Sequence, residues 1–202
     1  PTCLRDKRGH AAWATAAALQ AANSTSETPD PPVGQFLRVA VGNPTVIFFE
    51  EAIQLVEQHI PRPTPATIAS AMRTAQQKCW ELGLTGLHDF DGRDCFRALQ
   101  MLHANGELGL RMVKNIPDYR YEHAIGVGLR SGFGDDWLRI GSVKIFADGA
   151  LGPRTASMIA PYEGDPDNYG IVVTDKEEML HIASEASRNG LRTTVHAIGD
   201  RA

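Results

Sequence analysis

The stretch SVKIFADGALGPRTA, residues 142–156, sets a lysine in the middle of an apolar run and follows it with a loop bearing Asp148, Gly149, Gly152, Arg154 and Thr155. Val143, Ile145 and Ala147 alternate with Lys144, and a period of two is the mark of a strand with two different faces. Burying an ammonium group costs several kcal/mol unless it is paired or discharged. Lys144 therefore tilts to water at a strand edge, pairs with an acid, or is held for its chemistry.

Upstream of this strand the chain punctuates itself clearly. The spacing of Ile68, Met72, Ala75 and Cys79 predicts a helix, with Thr64 as N-cap, Pro65 at the first helical position and Gly83 just past its end. A short strand over 84–90 follows, then a helix over 93–106 stopped by Gly106, a strand over 108–116, and a less regular helical segment over 118–130. Downstream, a Gly- and Pro-rich loop over 148–173 leads to a helix over 175–189, for which Thr174 and Glu177 read as a capping box. The strand LRTTVH closes the series.

Short strands alternating with helices of ten or more residues make an α/β protein with a parallel sheet and right-handed crossovers. A doubly wound sheet puts a glycine-rich turn after its first strand. Here the segments after the strands carry His88, Asp89, Asp148 and His196 instead, as at the C-terminal mouth of a (β/α)8 barrel. The expected fold is part of such a TIM-type barrel, about four β/α units over 64–202, because a whole barrel takes about 250 residues and the chain stops at HAIGDRA, where the next helix is due. Residues 1–63 read as a mostly helical insertion or subdomain: an Ala-rich helix in HAAWATAAALQAA, a polar linker from Asn23 to Pro32, and an amphipathic IFFEEAIQLVEQHI.

Composition narrows the function classes. The chain has 202 residues, 43% hydrophobic and 22% charged, with a net charge of −4, the profile of a globular protein. It has no basic cluster interleaved with aromatics, so nucleic acid is not an expected partner. No apolar run approaches the roughly 18 to 20 residues that span a bilayer, so no membrane partner is expected. Cys3, Cys79 and Cys95 are odd in number and lack CxxC spacing, which reads as reduced thiols in a cytoplasmic protein.

Taken together, VKIFADGALGPRTA, PYEGDPDNYG, VHAIGD, GLTGLHD and the N-terminal GHAAW resemble the metal-dependent amidohydrolase superfamily, and within it the subgroup that includes N-substituted formamide deformylase. The resemblance runs in order over nearly the whole chain. It implies a (β/α)8 barrel with metals at its mouth, held by an H-x-H pair after the first strand, a lysine after the fourth, histidines after the fifth and sixth, and an aspartate after the eighth. Lys144 falls on the lysine and His196 on the fifth-strand histidine; the other ligands have no counterpart here.

The resemblance also suggests why Lys144 is there. A lysine with a pKa near 10.4 is a cation at neutral pH and cannot ligate one, whereas lysines of this kind are often carboxylated to a carbamate anion that bridges two metals about 3.5 to 4 Å apart. The implied cofactor is a divalent metal, zinc or similar, and the implied substrate a small amide, formamide or other C–N compound attacked by metal-activated water. The 202-residue chain alone is expected to bind no metal and to be inactive, since catalytic sites use three or more protein ligands.

Around the two ligands, His88, Asp89, Asp148, Gly149 and Arg154 are candidates to line the substrate pocket. Asp89 is read equally well as a structural partner of His88, and Arg154 as an ion-pair partner of Asp148. His10 falls on a segment that usually reads D-G-H and runs on to W-x-N-S, but Arg8 stands in place of the aspartate and WATA where the asparagine is usual. The alternative function is a non-catalytic, barrel-derived binding or assembly module. A further reading, metal-free hydrolysis on paired Asp89 and Asp148, has no supporting spacing. Finally, four strands of a barrel leave open edges and an uncovered inner face, where Val143 and Ile145 would meet water; a homo-oligomer is therefore expected.

Overall fold

The computed structural model describes residues 1–6, 11–25, 28–31, 34–38, 44–50 and 52–202. The chain divides into two units, Pro1–Arg62 and Pro63–Ala202.

Among its described residues the first unit is not mostly helical. Strands β1 (Cys3–Arg5), β2 (Ala11–Ala14), β3 (Gly34–Arg38) and β4 (Pro44–Glu50) form a four-stranded antiparallel sheet in the order β1-β2-β4-β3, and the helices among the described residues are two short ones, α1 (Ala16–Ala21) and α2 (Ala52–Glu57). The supposed amphipathic helix opens as β4 because Val46, Ile47, Phe48 and Phe49 are consecutive β-branched and aromatic residues, which fit a pleated surface better than a helix. Ala11–Ala14, good helix formers by themselves, are drawn into β2 by pairing on both sides, with Ala12 opposite Arg5 of β1 and Phe48 of β4. Ala12, Ala14 and Ala18 then pack with Phe48, Ile53 and Val56 in one small core.

The second unit follows the expected alternation: α3 (Pro65–Glu81), β5 (Gly86–Asp89), α4 (Arg93–Ala104), β6 (Arg111–Pro117), a short 3-10 turn and α5 (Tyr121–Gly126), β7 (Leu138–Phe146), α6 (Lys176–Arg188) and β8 (Arg192–His196). Its four strands are parallel, in the order β5-β6-β7-β8. The Thr64 side chain accepts from Thr67 N to cap α3, and Gly83, at φ 76°, supplies the left-handed residue that ends it. At α6 the cap is one residue later than expected. Asp175, not Thr174, accepts from the N–H of Glu178, because a carboxylate at the N-cap also favours the positive end of the helix.

The two faces of this sheet differ in kind. Helices cover one: Ala98, Leu99, Leu102 and Met112 form one apolar cluster, and Ile116, Ile140, Val143, Ile145, Ile182 and Ala186 another. Val143 and Ile145 are fully buried there, so they do not meet water on an uncovered face. Two-residue alternation puts Ser142, Lys144 and Phe146 on the opposite, open side. That side is polar: the Asn115 amide donates to the Asp89 carbonyl and, through Oδ1, accepts from both the N–H and the hydroxyl of Ser142, whose hydroxyl also bonds Thr194. The register of β6 on β7 shifts at this point, and Gly141 has no room for a side chain, since a Cβ would lie 2.5 Å from Asn115 Oδ1. A concavity of about 540 Å³ lined by His88, Asn115, Ser142, Arg192 and Thr194 lies over the row.

Candidate functional site at the ends of β7 and β8

Lys144 pairs in register with Thr194, and Phe146 with His196. Lys144 and His196 thus stand on one face of neighbouring parallel strands, at their C-terminal ends, two residues apart in register. Lys144 has no hydrogen-bond or ion-pair partner among the described residues. Its ammonium lies 4.4 Å from the Phe146 ring centroid and 5.4 Å from that of Phe90, and burial holds its pKa below the ordinary lysine value. The aromatic faces attract the cation through their quadrupoles without supplying a counter-charge.

His196 stacks obliquely on Phe146, with centroids 5.2 Å apart. Its Nε2 lies 2.7 Å from the carbonyl oxygen of Gly149. A carbonyl only accepts, so Nε2 carries the proton and, in the neutral ring, Nδ1 carries the lone pair.

Asp148 is 1% exposed; its Oδ1 lies 3.9 Å from His196 Nε2, and it makes no ion pair with Arg154 among the described residues. Its carboxylate instead accepts from the N–H groups of Ser157, Ile198 and Gly199. Burial alone would raise its pKa; those three donors outweigh the burial and hold it below the ordinary carboxylate value. Arg154 is exposed, in the left-handed region at φ 58°, with no ion pair among the described residues.

His88 and Asp89 do not form a pair. Successive residues of β5 point to opposite faces: the exposed His88 ring is 6.5 Å from that of Phe90 on the open side, while Asp89 turns under the helices and bonds Lys114 of β6. This separation also places Asp89 and Asp148 in different surroundings, each carboxylate committed to its own donors, which removes the paired-carboxylate reading. His10 lies outside the described residues.

Sequence reasoning missed Lys114 and the two phenylalanines. Lys114 is 4% exposed; it donates to the Asp89 carboxylate and to the Asp91 carbonyl. The signal was the one used for Lys144, a lysine in an apolar strand. Asp89, Asp91 and Cys95 lie close enough to hold an ion, with ligand atoms within 4.8 Å of one another. They suit a metal poorly, because the ammonium of Lys114 already neutralises Asp89, and burial together with the hydrogen bond to Asp89 pushes the Cys95 thiol up to about 12.

A parallel α/β unit with lysine and histidine gathered at its strand ends has the layout of α/β enzymes, whose functional groups sit at the C-terminal ends of strands. The chain belongs to the amidohydrolase family, whose model matches residues 1–202. It is 33% identical over its whole length to the putative amidohydrolase YtcJ of Bacillus subtilis strain 168, covering 39% of that protein. It is 28% identical to the protein LONG AFTER FAR-RED 3 of Arabidopsis thaliana, covering 37% of it. Among solved structures, an uncharacterized metal-dependent hydrolase of Pyrococcus horikoshii OT3 superposes on the entire chain with a TM-score of 0.79 at 27% identity, over 40% of its own length. One from Pyrococcus furiosus gives 0.76 at 25%, over 96% of this chain and 39% of its own. The chain thus spans about two fifths of the length of these relatives.

Proposed function

We propose that this chain contributes Lys144 and His196 to the metal centre of a hydrolase that cleaves amide or formamide C–N bonds, as in the subgroup that includes N-substituted formamide deformylase. The observation that carries the reading is the placement of the two side chains on one face of adjoining strand ends, where Lys144 faces no carboxylate among the described residues and His196 has its Nε2 on the Gly149 carbonyl. In this reading β7 and β8 are the fourth and fifth strands of a (β/α)8 barrel. The order β5-β6-β7-β8 with helices on one side supports it.

The donor set fits a divalent metal of the first transition row. His196, with Nε2 committed to Gly149, offers Nδ1, and a neutral imidazole nitrogen suits such an ion. Lys144 faces no carboxylate among the described residues, burial holds its pKa below the ordinary lysine value, and as a carbamate it would offer two oxygens. A divalent metal bound there supplies a Lewis acid that polarises the carbonyl and lowers the pKa of water. The residues of this chain hold and orient the donors: Gly149 fixes the His196 ring, and Phe90 and Phe146 give the substrate side of Lys144 an apolar wall. Catalytic sites keep three or more protein ligands, so the remaining ligands belong, in this proposal, to other parts of a longer protein.

Assaying a longer form of the protein on N-substituted formamides and simple amides, with amine release as readout, tests the proposal. Turnover is expected in the wild type and background in Lys144→Ala. Substantial turnover in that variant would make the lysine structural, and none in the wild type would favour the non-catalytic module.

Two further readings belong to the proposal. The three cysteines are free thiols, which supports a cytoplasmic setting, and no helix among the described residues is long and apolar enough to cross a membrane. The edges of β5 and β8 have no strand partner in this sheet, and Val195 on β8 is 41% exposed, so the 202-residue chain is proposed to self-associate there. Sedimentation equilibrium giving a 22.0 kDa monomer at micromolar concentration would contradict this.

A further inference from the structure

We infer that Asp148 is a positioning residue: it clips together the loops after β7 and β8 so that the Gly149 carbonyl holds His196 as its Nε2–H tautomer. The inference rests on the metal-centre reading for its purpose, but not for its geometry.

His196 and its acceptor come from different strand ends, and the strand pairing holds the chain only as far as the Ala147 N–H bond to the His196 carbonyl, two residues short of Gly149. The Asp148 carboxylate holds it beyond that point. On one side it receives the N–H groups of Ile198 and Gly199, at 3.0 and 2.7 Å, so the turn directly after His196 is tied down. On the other it receives Ser157 N at 2.8 Å, closing the loop that begins with Gly149. Both carboxylate oxygens are used in this way, and Oδ1 stands 3.9 Å from His196 Nε2, outside hydrogen-bond reach, so Asp148 acts on the ring through the backbones it ties.

The acceptor is fixed just as closely. Gly149 N donates to the Thr155 carbonyl, and Ala150 N donates to Thr155 Oγ1 at 3.1 Å. A Cβ on Gly149 would lie 2.2 Å from Thr155 Oγ1 and 2.7 Å from the Thr155 carbonyl oxygen, and one on Gly199 would lie 1.8 Å from the carbonyl oxygen of Ser157. A side chain at Gly149 would displace that residue from Thr155 within its own loop, and one at Gly199 would push the two loops apart. The segments D-G and I-G-D, widely separated in sequence, act as one clasp around the imidazole. Its consequence is chemical: with Nε2–H engaged, Nδ1 is the ring nitrogen that keeps a lone pair for a metal.

The test uses the 202-residue chain labelled with [15N]histidine and observed by NMR with no metal present, His196 being assigned by the signal lost in His196→Gln. The wild type is expected to show a His196 Nε2–H resonance protected from solvent exchange. In Asp148→Asn that proton should exchange about tenfold faster or vanish, a change of the size expected for a lost hydrogen bond. Asp200→Asn is the control. Asp200 accepts from Ile159 N at 2.8 Å between the same two loops but does not touch the imidazole or Gly149, so protection should survive. Gly149→Ala gives an independent route if Asp148→Asn does not fold, since it leaves Asp148 in place and displaces only the acceptor; the same loss is expected. A wild-type His196 in the Nδ1–H form, or protection unchanged in Asp148→Asn or Gly149→Ala, would overturn the inference. Failure of the metal-centre reading would appear instead in the metal content of a longer protein and leave this proton unaffected.

Discussion

Lys114 and Lys144 sit on adjacent parallel strands and are both set among apolar residues, yet they are held in opposite ways. Lys114 turns to the helix-covered face, where the Asp89 carboxylate and the Asp91 carbonyl surround its ammonium. Lys144 turns to the open face and meets two aromatic rings instead of an acid. The difference teaches that an apolar strand does not by itself say what a lysine is for. The face does: a cation under the helices has to be paired to be tolerated, whereas one at a strand end on the open face is available to a ligand.

The largest expected effect breaks the buried pair. Lys114→Met leaves Asp89 charged and unpaired under the helices and should cost about 3–5 kcal/mol in urea unfolding. Replacing both partners, Asp89→Leu with Lys114→Met, should recover much of that loss, because the desolvation of two ions disappears along with their attraction. If the single variant is as stable as the wild type, the two lysines are not distinguished in the way described.

Next in size is Asp148→Ala. It strands three backbone N–H groups at a tightly packed site and should cost about 1–3 kcal/mol. Lys144→Met, by contrast, should change stability by no more than about 1 kcal/mol, since it gives up only aromatic contacts of that order. A larger loss would point to a structural role for this lysine and erase the contrast with Lys114.

The smallest effect concerns acid. Asp135 is held at a pKa of about 2 by the N–H groups of Leu138 and Trp137 and by His103. A depressed carboxylate pKa stabilises the fold above its unfolded value and loses that contribution as pH falls through the folded one. The Tm difference between wild type and Asp135→Asn should therefore be full at pH 5 and narrow from about pH 4 toward pH 2. A difference independent of pH would show that the local hydrogen bonds do not depend on the charge.

Much of the second unit was legible because its signals are local. Thr64, Pro65 and Gly83 bracket a helix by capping chemistry alone, and the alternation around Lys144 separates Val143 and Ile145 from the lysine without knowledge of any neighbour. The first unit was not, because its strands depend on partners far along the chain: Ala11–Ala14 read as helix until Phe48 and Phe49 are placed beside them. The site divides in the same way. The positions of Lys144 and His196 follow from strand order and resemblance. The opposite turns of His88 and Asp89 are legible in the strand period, which sends successive side chains to opposite faces. The clasp of Asp148 on Ile198 and Gly199 joins residues 50 and 51 apart in sequence, and no periodicity announces it.

The central claim is that Lys144 and His196 hold a metal, and metal analysis of a longer form of the protein after exhaustive dialysis tests it most directly. The account predicts stoichiometric divalent metal in the wild type and its loss in both Lys144→Ala and His196→Ala, with the folded state retained in each. Full metal occupancy in those two variants would contradict it.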